Sequence, residues 1–484
     1  MVFSSIVFLF LFLPLVLSAY FLISKKYKNL FLLSASLVFY FWGEGKYVVV
    51  IIVYMVANYF FGRYIEKYQS VNTPRGSRHA KSIFILSICF NLGLFILFKY
   101  VDFFVNNYND LIAGSGYAVS IGQIHLPIGI SFFTFQSLSY VIDVYRKDVK
   151  ASTSLIDYSM YKTFFPQLIA GPIVRYRDVS RQIVERITTI KTLSAGIKRF
   201  VIGLAKKVLI ANTLGSFVDQ IFNMPPNLLS TSGAWLGIVC YALQIYFDFS
   251  GYSDMAIGLA KMLGFDFLEN FNYPYIARSI REFWRRWHIS LSTWFRDYLY
   301  IPLGGNRKSV TRVYGNLLIV FLLCGLWHGA NWTFVLWGLW HGIFLILERT
   351  KFGKLLDLTF TPVRHLYTGM VILIGWVLFR AETVSYAMDY LKVMSGFAIN
   401  HSFPTMLVNS KIIIALVLGL IGSTPFVGNL LNYHAHDMED KNKSRTALNI
   451  LAESMILTFY LLLFLTCVVF LSGDTYNPFI YFRF

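Results

Sequence analysis

Apolar residues in this chain are grouped into long runs that are separated by shorter polar connections. Many runs hold roughly 20 residues, the length that a helix rising ~1.5 Å per residue needs to cross ~30 Å of hydrocarbon. Helices satisfy their own backbone hydrogen bonds inside a bilayer, whereas open sheets do not. The candidate spans lie near residues 6–24, 30–43, 47–62, 82–100, 126–145, 200–222, 234–263, 314–328, 331–348, 366–380, 412–432 and 449–472.

Two of these runs are short enough to be half-spans or tilted, partly buried helices. The pattern predicts an all-α, polytopic integral membrane protein with about eleven transmembrane helices. We treat residues 1–484 as a single membrane domain. Its regions are the N-terminal spans in 1–145, cytoplasm-facing elements with the spans near 200–222 and 234–263 in 146–313, and a histidine-bearing hairpin with the C-terminal spans in 314–484.

Positively charged residues distinguish the two sides of this predicted bundle. The connections rich in Lys and Arg are those at residues 25–28, 63–81, 146–199 and 265–313. By contrast, the connection 101–125 has no Lys or Arg, and 223–233 carries no charge. Because basic connections stay in the cytoplasm, the N-terminus is predicted to lie outside. The run from Val7 to Ile23 is interpreted as a retained helix, since no basic residue precedes it.

Two of the predicted cytoplasmic connections contain segments typical of membrane-bound structure and not of plain linkers. Between Phe164 and Pro172, a run too short to span is interrupted by two prolines and a glycine, as in a re-entrant turn. Between Arg278 and Tyr298, aromatic residues recur at helical spacing with arginines interleaved, which predicts an interfacial amphipathic helix. Anchoring at the lipid headgroups explains both segments, and a basic floor that attracts an anionic cytosolic cofactor is the functional alternative.

Composition agrees with a membrane protein and argues against other classes. Hydrophobic residues make up 56% of the chain and charged residues 14%, against about 25% charged in soluble domains. The net charge of +18 is spread between the apolar runs, so nucleic acid is not an expected partner. The cysteines lie in or beside apolar runs without metal-binding spacing, and no metal site is predicted. No internal repeat is visible, which weakens a transporter interpretation.

Histidines at membrane depth are the first candidates for chemistry, because burying an ionisable group in a bilayer is costly. His328 lies where one apolar run ends and the next begins, and a neutral imidazole in a dry site is a suitable general base. A core histidine hydrogen-bonded between helices is the alternative. His288 lies on the aromatic face of the amphipathic segment, and His341 is expected to be a packing residue. The histidines expected to be solvated are His79, His125, His365, His401, His434 and His436.

A second polar cluster contains Asp248 and Asp254 within a long apolar run. These carboxylates share one helical face only if the helix unwinds near Gly251. They could orient histidines, couple to protons or satisfy freed backbone groups. Cys324 lies one turn before His328, and we interpret it as a packed thiol in preference to a covalent acyl carrier.

Several of these segments together resemble the membrane-bound O-acyltransferase (MBOAT) family, in particular the bacterial branch that includes the alginate O-acetyltransferase membrane subunit. The segments that carry the resemblance are Met1–Ser5, Phe247–Gly258, Glu282–Ser292, Asp297–Arg307 and Trp327–Gly329. They are distributed over most of the chain, and the last three in this order are highly specific.

The resemblance implies a ring of helices around a thinned centre with a central tunnel. It implies that His328 is catalytic and that His288 is the second polar residue of the site. Donor-binding residues are expected at Arg281, Arg285 and Arg286, and supporting polar residues at Asp248, Asp254 and Asn331. No permanently bound cofactor is expected, and acetyl-CoA is the expected donor substrate.

The expected function is O-acetylation of an exported polysaccharide, alginate-like or cellulose, from the bacterial cytoplasmic (inner) membrane. Besides membrane lipid, the expected partner is a periplasmic SGNH-type acetyltransferase or a small acyl carrier. One alternative is D-alanyl or acetyl transfer to teichoic acid or peptidoglycan. A second, of another class, is a proton-coupled polysaccharide exporter that uses Asp248, Asp254 and His328 as a relay.

Overall fold

The computed structural model describes residues 2–71, 73–113, 117–398, 400, 407–426, 428, 447–473 and 476–480. Helices dominate these residues, in which β pairing is limited to a bridge between Ser230 and Asn400. In chain order the helices are α1 Phe8–Leu22, α2 Lys28–Glu44, α3 Val48–Ser70, α4 Pro74–Leu111, α5 Ile130–Arg146, α6 Leu155–Thr163, α7 Phe165–Leu168, α8 Tyr176–Val184, α9 Ile190–Phe222, α10 Thr231–Met262, α11 Ile280–Arg286, α12 Ile289–Phe295, α13 Val310–His328, α14 Trp332–Leu347, α15 Lys351–Leu358, α16 Thr361–Arg380, α17 Val384–Met394, α18 Ser410–Gly422 and α19 Ala447–Gly473.

Six helical segments in the described part of the chain are long and apolar enough to cross a membrane: Lys25–Ser70, Pro74–Leu111, Ile190–Phe222, Val310–His328, Thr361–Arg380 and Glu453–Gly473. Three shorter apolar helices are Phe8–Leu22, Trp332–Leu347 and Ser410–Gly422. The all-α, polytopic membrane architecture is therefore confirmed, whereas the count of about eleven spans and the central tunnel stay predictions. The run predicted at 412–432 extends past the described residues, and the helix ends at Gly422.

Helix α10 forms the centre of the fold, and every residue from Cys240 to Ala260 is buried. It packs closely on α9 because glycines face each other: a Cβ on Gly203 would lie 2.6 Å from the Gly251 carbonyl oxygen. Small residues allow this approach between apolar helices. The helix does not unwind near Gly251, which was the condition for Asp248 and Asp254 to share one face; it is continuous, and the glycine serves close packing.

The apolar segment with two prolines forms a buried, broken turn. Helix α6 ends at Thr163, α7 begins at Phe165, and the residues from Phe164 to Val174 are all buried. A residue of another helix stabilises the break, because the Phe165 N–H donates to the Ser36 hydroxyl on α2 at 3.0 Å. The segment packs inside the protein, as a turn that re-enters the bundle would.

The segment predicted as one interfacial helix is divided into two short helices, so the prediction of a single continuous helix is wrong. The chain forms α11, breaks at Trp287 and His288, and continues as α12 and a π-helical turn, Arg296–Tyr300. His288 has φ +44° and ψ +56°, a left-handed conformation that ends one helix and starts the next. The break turns the aromatic residues of both short helices into the core.

Candidate active site

His328 is the last residue of α13 and lies at the turn of a tight helical hairpin. The chain is extended at Gly329, and α14 begins after Asn331, whose side-chain oxygen accepts the Thr333 N–H at 3.1 Å. The two helices nearly touch, because a Cβ on Gly325 would collide with the carbonyl oxygen of Phe334. This contact fixes the height of His328 relative to α14.

Aromatic rings surround the imidazole of His328, which is 5% exposed. The ring centroids of Trp327, Trp337 and Phe379 lie 4.9, 5.1 and 5.1 Å away, each in an edge-to-face arrangement. Such an enclosure has a low effective dielectric, which strengthens hydrogen bonds made inside it.

His288 reaches the same tryptophan from a different element, the break between α11 and α12. Its imidazole is 1% exposed and lies 4.6 Å from the Phe249 ring of α10 and 6.0 Å from the Trp327 ring. Trp327 therefore contacts both histidines, which are far apart in sequence. Among the described residues, neither ring nitrogen of His288 has a hydrogen-bond partner. A buried nitrogen of this kind is available to a reacting group.

Residues that sequence reasoning missed hold His288 in place. Asn270 accepts the Ser290 N–H at 3.2 Å and the Ser290 hydroxyl at 2.9 Å through its side-chain oxygen. Its main-chain oxygen accepts the Ile289 N–H at 2.9 Å. At the start of α11, the Glu348 carboxylate accepts the N–H groups of Ile280 and Arg281, at 2.5 and 3.0 Å. Both ends of the broken segment are thus anchored to other elements.

Comparison with known proteins decides the family. Residues 146–389 match the membrane-bound O-acyltransferase family, MBOAT. The protein named "Probable alginate O-acetylase AlgI" from Azotobacter vinelandii is 42% identical over 506 residues, which cover 100% of both chains. The chain belongs to the membrane-bound O-acyltransferase family. The predicted enzyme class, an integral membrane O-acyltransferase, is therefore confirmed.

Other relatives of this acyltransferase have different names. The "Peptidoglycan O-acetyltransferase" of Helicobacter pylori is 38% identical over 431 residues, covering 82% of this chain and 80% of the relative. The "Teichoic acid D-alanyltransferase" of Bacillus subtilis is 31% identical over 215 residues, which cover 42% of this chain and 53% of the relative. This second similarity covers less of each chain than the first. The Bacillus subtilis protein is named for transfer of D-alanine, whereas the Helicobacter pylori protein is named for transfer of acetate.

The three predicted donor-binding arginines of the acyltransferase have different surroundings. Arg286 pairs with Glu282 at 2.9 Å and donates to the Asn272 carbonyl at 3.0 Å, so its guanidinium is occupied. Although burial raises the pKa of Glu282, hydrogen bonds from Arg278 and Arg286 outweigh it and hold that pKa below its usual value. Arg281 and Arg285 are exposed, and Arg285 has no ion pair among the described residues.

The three predicted supporting residues are engaged in the scaffold. The Asp248 carboxylate pairs with Lys207 at 2.6 Å, and that of Asp254 pairs with Lys206 and Arg199, both at 2.6 Å. Asn331 caps α14 and donates to the Glu382 carbonyl at 2.9 Å. Among the described residues, none of the three is hydrogen-bonded to a histidine. In this structure, they join helices to each other.

The remaining histidines and Cys324 mostly match their predicted surroundings. His341 packs edge-on against Trp284 and Trp337, at 5.1 and 5.2 Å, as a packing residue would. Cys324 is buried, as expected of a packed thiol. His79 is exposed, whereas His125 is half-exposed and lies 3.0 Å from the buried Glu44 carboxylate. His365 is partly buried, with Nδ1 3.2 Å from the Ala277 carbonyl oxygen. His401, His434 and His436 lie outside the described residues.

A network around Asp297, which the sequence did not indicate, joins α8 to the turn that follows α12. The carboxylate accepts hydrogen bonds from Arg175 at 2.8 Å, Arg177 at 3.2 Å and Arg296 at 2.7 Å. Burial alone would raise the pKa of Asp297, but Arg296 and Arg175 outweigh it, so the pKa lies below its usual value. The network holds the end of the His288 segment against its neighbour.

No group of three or more His, Cys, Asp or Glu side chains within the described residues is arranged to hold a metal ion. A cavity of about 770 Å³ lies beside α12, lined by Asn270 and Ile289 among others. Ile289 follows His288 in the chain, and its N–H donates to the Asn270 carbonyl oxygen. The cavity therefore reaches the neighbourhood of the candidate site.

Proposed function

We propose that this acyltransferase takes an acetyl group from acetyl-CoA in the cytosol and passes it through the bacterial inner membrane for O-acetylation of an exported polysaccharide. The observation that carries the proposal is the meeting of His328 and His288 at Trp327, deep inside a polytopic bundle. The identity of 42% over the whole chain with the Azotobacter vinelandii relative supports acetate as the acyl group and an alginate-like polymer as the molecule finally acetylated, with cellulose as the alternative polymer.

In the proposed reaction, His328 removes the proton from the acceptor hydroxyl, and the oxygen of that hydroxyl attacks the thioester carbonyl carbon. The new C–O bond forms, the C–S bond breaks, and the imidazolium returns its proton to the departing thiolate. His288, whose ring nitrogens have no partner among the described residues, donates an N–H to the developing oxyanion. The step needs no metal and no co-reactant beyond the two substrates.

The exposed side chains of Arg281 and Arg285 supply the proposed contact with the donor, and Arg281 also donates to the Glu348 carbonyl oxygen at 3.5 Å. Coenzyme A carries phosphate groups, which arginine recognises through paired hydrogen bonds. Both arginines are on α11, which leads directly to His288. In this arrangement the bulky anionic part of the donor stays at the surface, and only the acetyl thioester reaches the histidines.

The proposed acceptor is a periplasmic partner, either an SGNH-type acetyltransferase or a small acyl carrier that passes acetate to one. The connections predicted to face outward, 101–125 and 223–233, are short. A long polymer would find little surface to bind on them. We therefore assign polymer recognition to the partner and acetyl delivery to this chain.

The test replaces His328 by alanine in cells that make the polymer. Polymer acetate should be lost, whereas the amount of secreted polymer and of membrane-inserted protein should stay unchanged. Retained acetate would refute the catalytic role. Loss of secretion with acetate still attached would instead favour a proton-coupled exporter. Supplying labelled acetyl-CoA or a D-alanyl carrier to membranes distinguishes acetate from the D-alanyl transfer named for the Bacillus subtilis relative.

A further inference from the structure

Lys99 is a buried lysine whose amino group lies against the C-terminal end of α13, the helix that carries His328. It lies on α4 and is 8% exposed. Its ammonium group donates to the carbonyl oxygens of Trp327 at 2.6 Å and His328 at 3.1 Å, and to the Ser131 hydroxyl at 3.3 Å. These three bonds use all its protons. Lys99 has no ion pair with a carboxylate among the described residues.

Lys99 lies where the C-terminal end of α13 needs hydrogen-bond donors. The last carbonyl groups of a helix have no partner within it, and the end of the helix carries partial negative charge. Here three successive carbonyls are bound from α4, since the neighbouring Tyr100 hydroxyl donates to the Leu326 carbonyl at 2.6 Å. Glycine follows His328, so the next residue offers no side chain to hold this turn.

Helix α4 also holds the other side of the hairpin. The Trp332 indole, at the start of α14, donates to the Asn107 side chain at 2.8 Å. The residues before and after the turn are thus fixed to the same helix, two turns apart. If the hydrogen bonds from Lys99 on α4 were lost or displaced, the last turn of α13 could rotate and move the His328 imidazole.

We propose that Lys99 is a positioning residue for acyl transfer, which holds the final turn of α13 so that the His328 imidazole faces the reacting carbon. This inference rests on the proposed role of His328. A buried cation without a carboxylate partner is costly to maintain, and here it is compensated by the helix end that bears the histidine. Lys99 binds the backbone carbonyl groups that end α13, and through that backbone it holds the His328 imidazole in place.

Lys162 offers a matched control in the same molecule. It is fully buried, donates to the Phe133 carbonyl oxygen, and likewise has no ion pair with a carboxylate among the described residues. It is not bonded to α13. Replacing either lysine by methionine removes a buried amino group and its bond to a carbonyl, but only the Lys99 change frees the end of the His328 helix.

The experiment compares Lys99→Met, Lys99→Gln, Lys162→Met and His328→Ala in the full chain. Inside-out vesicles from polymer-producing cells receive labelled acetyl-CoA, and transfer is divided by the amount of folded protein, with the Tm measured in detergent. Lys99→Met should lower kcat ~100-fold, the scale expected for a misplacement of about 1 Å, and leave the KM for acetyl-CoA within about threefold. Lys99→Gln keeps an uncharged donor group on a shorter side chain and should be intermediate. Lys162→Met should lower the Tm similarly but keep kcat within about threefold.

The outcomes separate the two hypotheses. If Lys99→Met lowers kcat no more than Lys162→Met at a similar Tm, the positioning role is refuted while the role of His328 stands. If Lys99→Met fails to accumulate, Lys99→Gln decides: unchanged kcat refutes the inference and a clear loss supports it. If His328→Ala still transfers acetate, the proposed function itself fails.

Discussion

At the scale of single residues, the site depends on two histidines that stand where helices are interrupted. His328 ends α13, and His288 separates α11 from α12 with a left-handed backbone. An interruption lets a side chain enter the middle of a bundle while the flanking helices remain hydrogen-bonded. It also exposes main-chain groups, which Lys99 and Asn270 satisfy.

Substitution of His288 separates its backbone geometry from its proposed hydrogen bond. Asparagine and glycine both tolerate φ near +44°, but only asparagine keeps a side-chain donor. We expect His288→Gly to lower the acetyl-transfer rate ~100- to 1,000-fold, the usual effect of losing an oxyanion donor, and His288→Asn to lower it less. Both variants should insert at wild-type levels. Equal rates for the two variants in the vesicle assay would exclude a hydrogen-bonding role.

The sequence revealed the candidate histidines but not the residues that hold them. His328 was found because a polar residue at a junction of apolar runs is unusual. Lys99, Asn270 and Glu348 were missed, because each acts on a segment that is distant along the chain; Lys99 and Trp327 are 228 positions apart. The pairing of Asp248 and Asp254 with α9 is not visible in the sequence for the same reason, so the sequence places both carboxylates in the site.

At the scale of elements, the hairpin of α13 and α14 depends on two facing glycines. Gly325 and Gly338 approach so closely that a Cβ on Gly338 would lie 3.4 Å from the Gly325 Cα and would collide with the Phe321 carbonyl oxygen. Main-chain atoms cannot move aside as a flexible side chain can. The separation of the helices, and with it the position of His328, is therefore set by these glycines.

Adding a methyl group at this contact should push the helices apart. We expect Gly338→Ala to destabilise the protein by about 1–3 kcal/mol, the usual effect of overpacking, and to lower the acetyl-transfer rate. Gly315→Ala on α13, the other helix of the hairpin, is the control, because a Cβ there would meet nothing within 4 Å. Its Tm should match or slightly exceed that of the wild type, since alanine favours a helix. An unchanged Tm for Gly338→Ala would contradict the tight contact.

The Asp297 network gives a pH dependence that can be measured. Because Arg296 and Arg175 hold the pKa of Asp297 below its usual value, ionised Asp297 stabilises the folded state above the unfolded pKa of about 3.9. That contribution is lost as the pH falls through the lower, folded-state pKa. We expect the Tm in detergent to fall on acidification below about pH 4, and to fall less in Asp297→Asn. Parallel curves for both proteins would show that the network does not contribute.

Helical periodicity predicted most elements but not the break at His288. The aromatic spacing continues through Trp284, Trp287 and Leu291, so the pattern alone indicates one helix. The interruption is a tertiary effect, because Asn270 binds the start of α12 and Glu348 binds the start of α11. Periodicity indicates which residues share a face of a helix. It does not indicate where hydrogen bonds from another element interrupt that helix.

At the scale of the whole molecule, hydropathy predicted which segments are apolar but not which are enclosed. The apolar window of the span Glu453–Gly473 is 6% buried, whereas that of Ile190–Phe222 is 56% buried. Lipid tails are as apolar as leucine, so a lipid-facing helix and a protein-facing helix have similar composition. The central position of α10 follows instead from its glycines and from its ion pairs with α9.

The proposed reaction needs a defined orientation, because donor and acceptor are in different compartments. The predicted topology places Ser77, among the basic residues Arg75 and Arg78, in the cytoplasm, and Tyr117, whose loop lacks Lys and Arg, outside. Both positions are exposed, and so is Cys89, whereas the other three cysteines are buried. A background without Cys89 therefore allows single-site labelling.

A membrane-impermeant maleimide applied to intact spheroplasts should label Tyr117→Cys, whereas Ser77→Cys should react only after the membrane is opened. The basic connection 265–313 is predicted to share the side of Ser77, and it contains Arg285 and α11. Reversed labelling would place this surface outside, away from cytosolic acetyl-CoA. The proposed donor contact would then be excluded even if both histidines proved essential, because the acetyl group would have to enter from the opposite face.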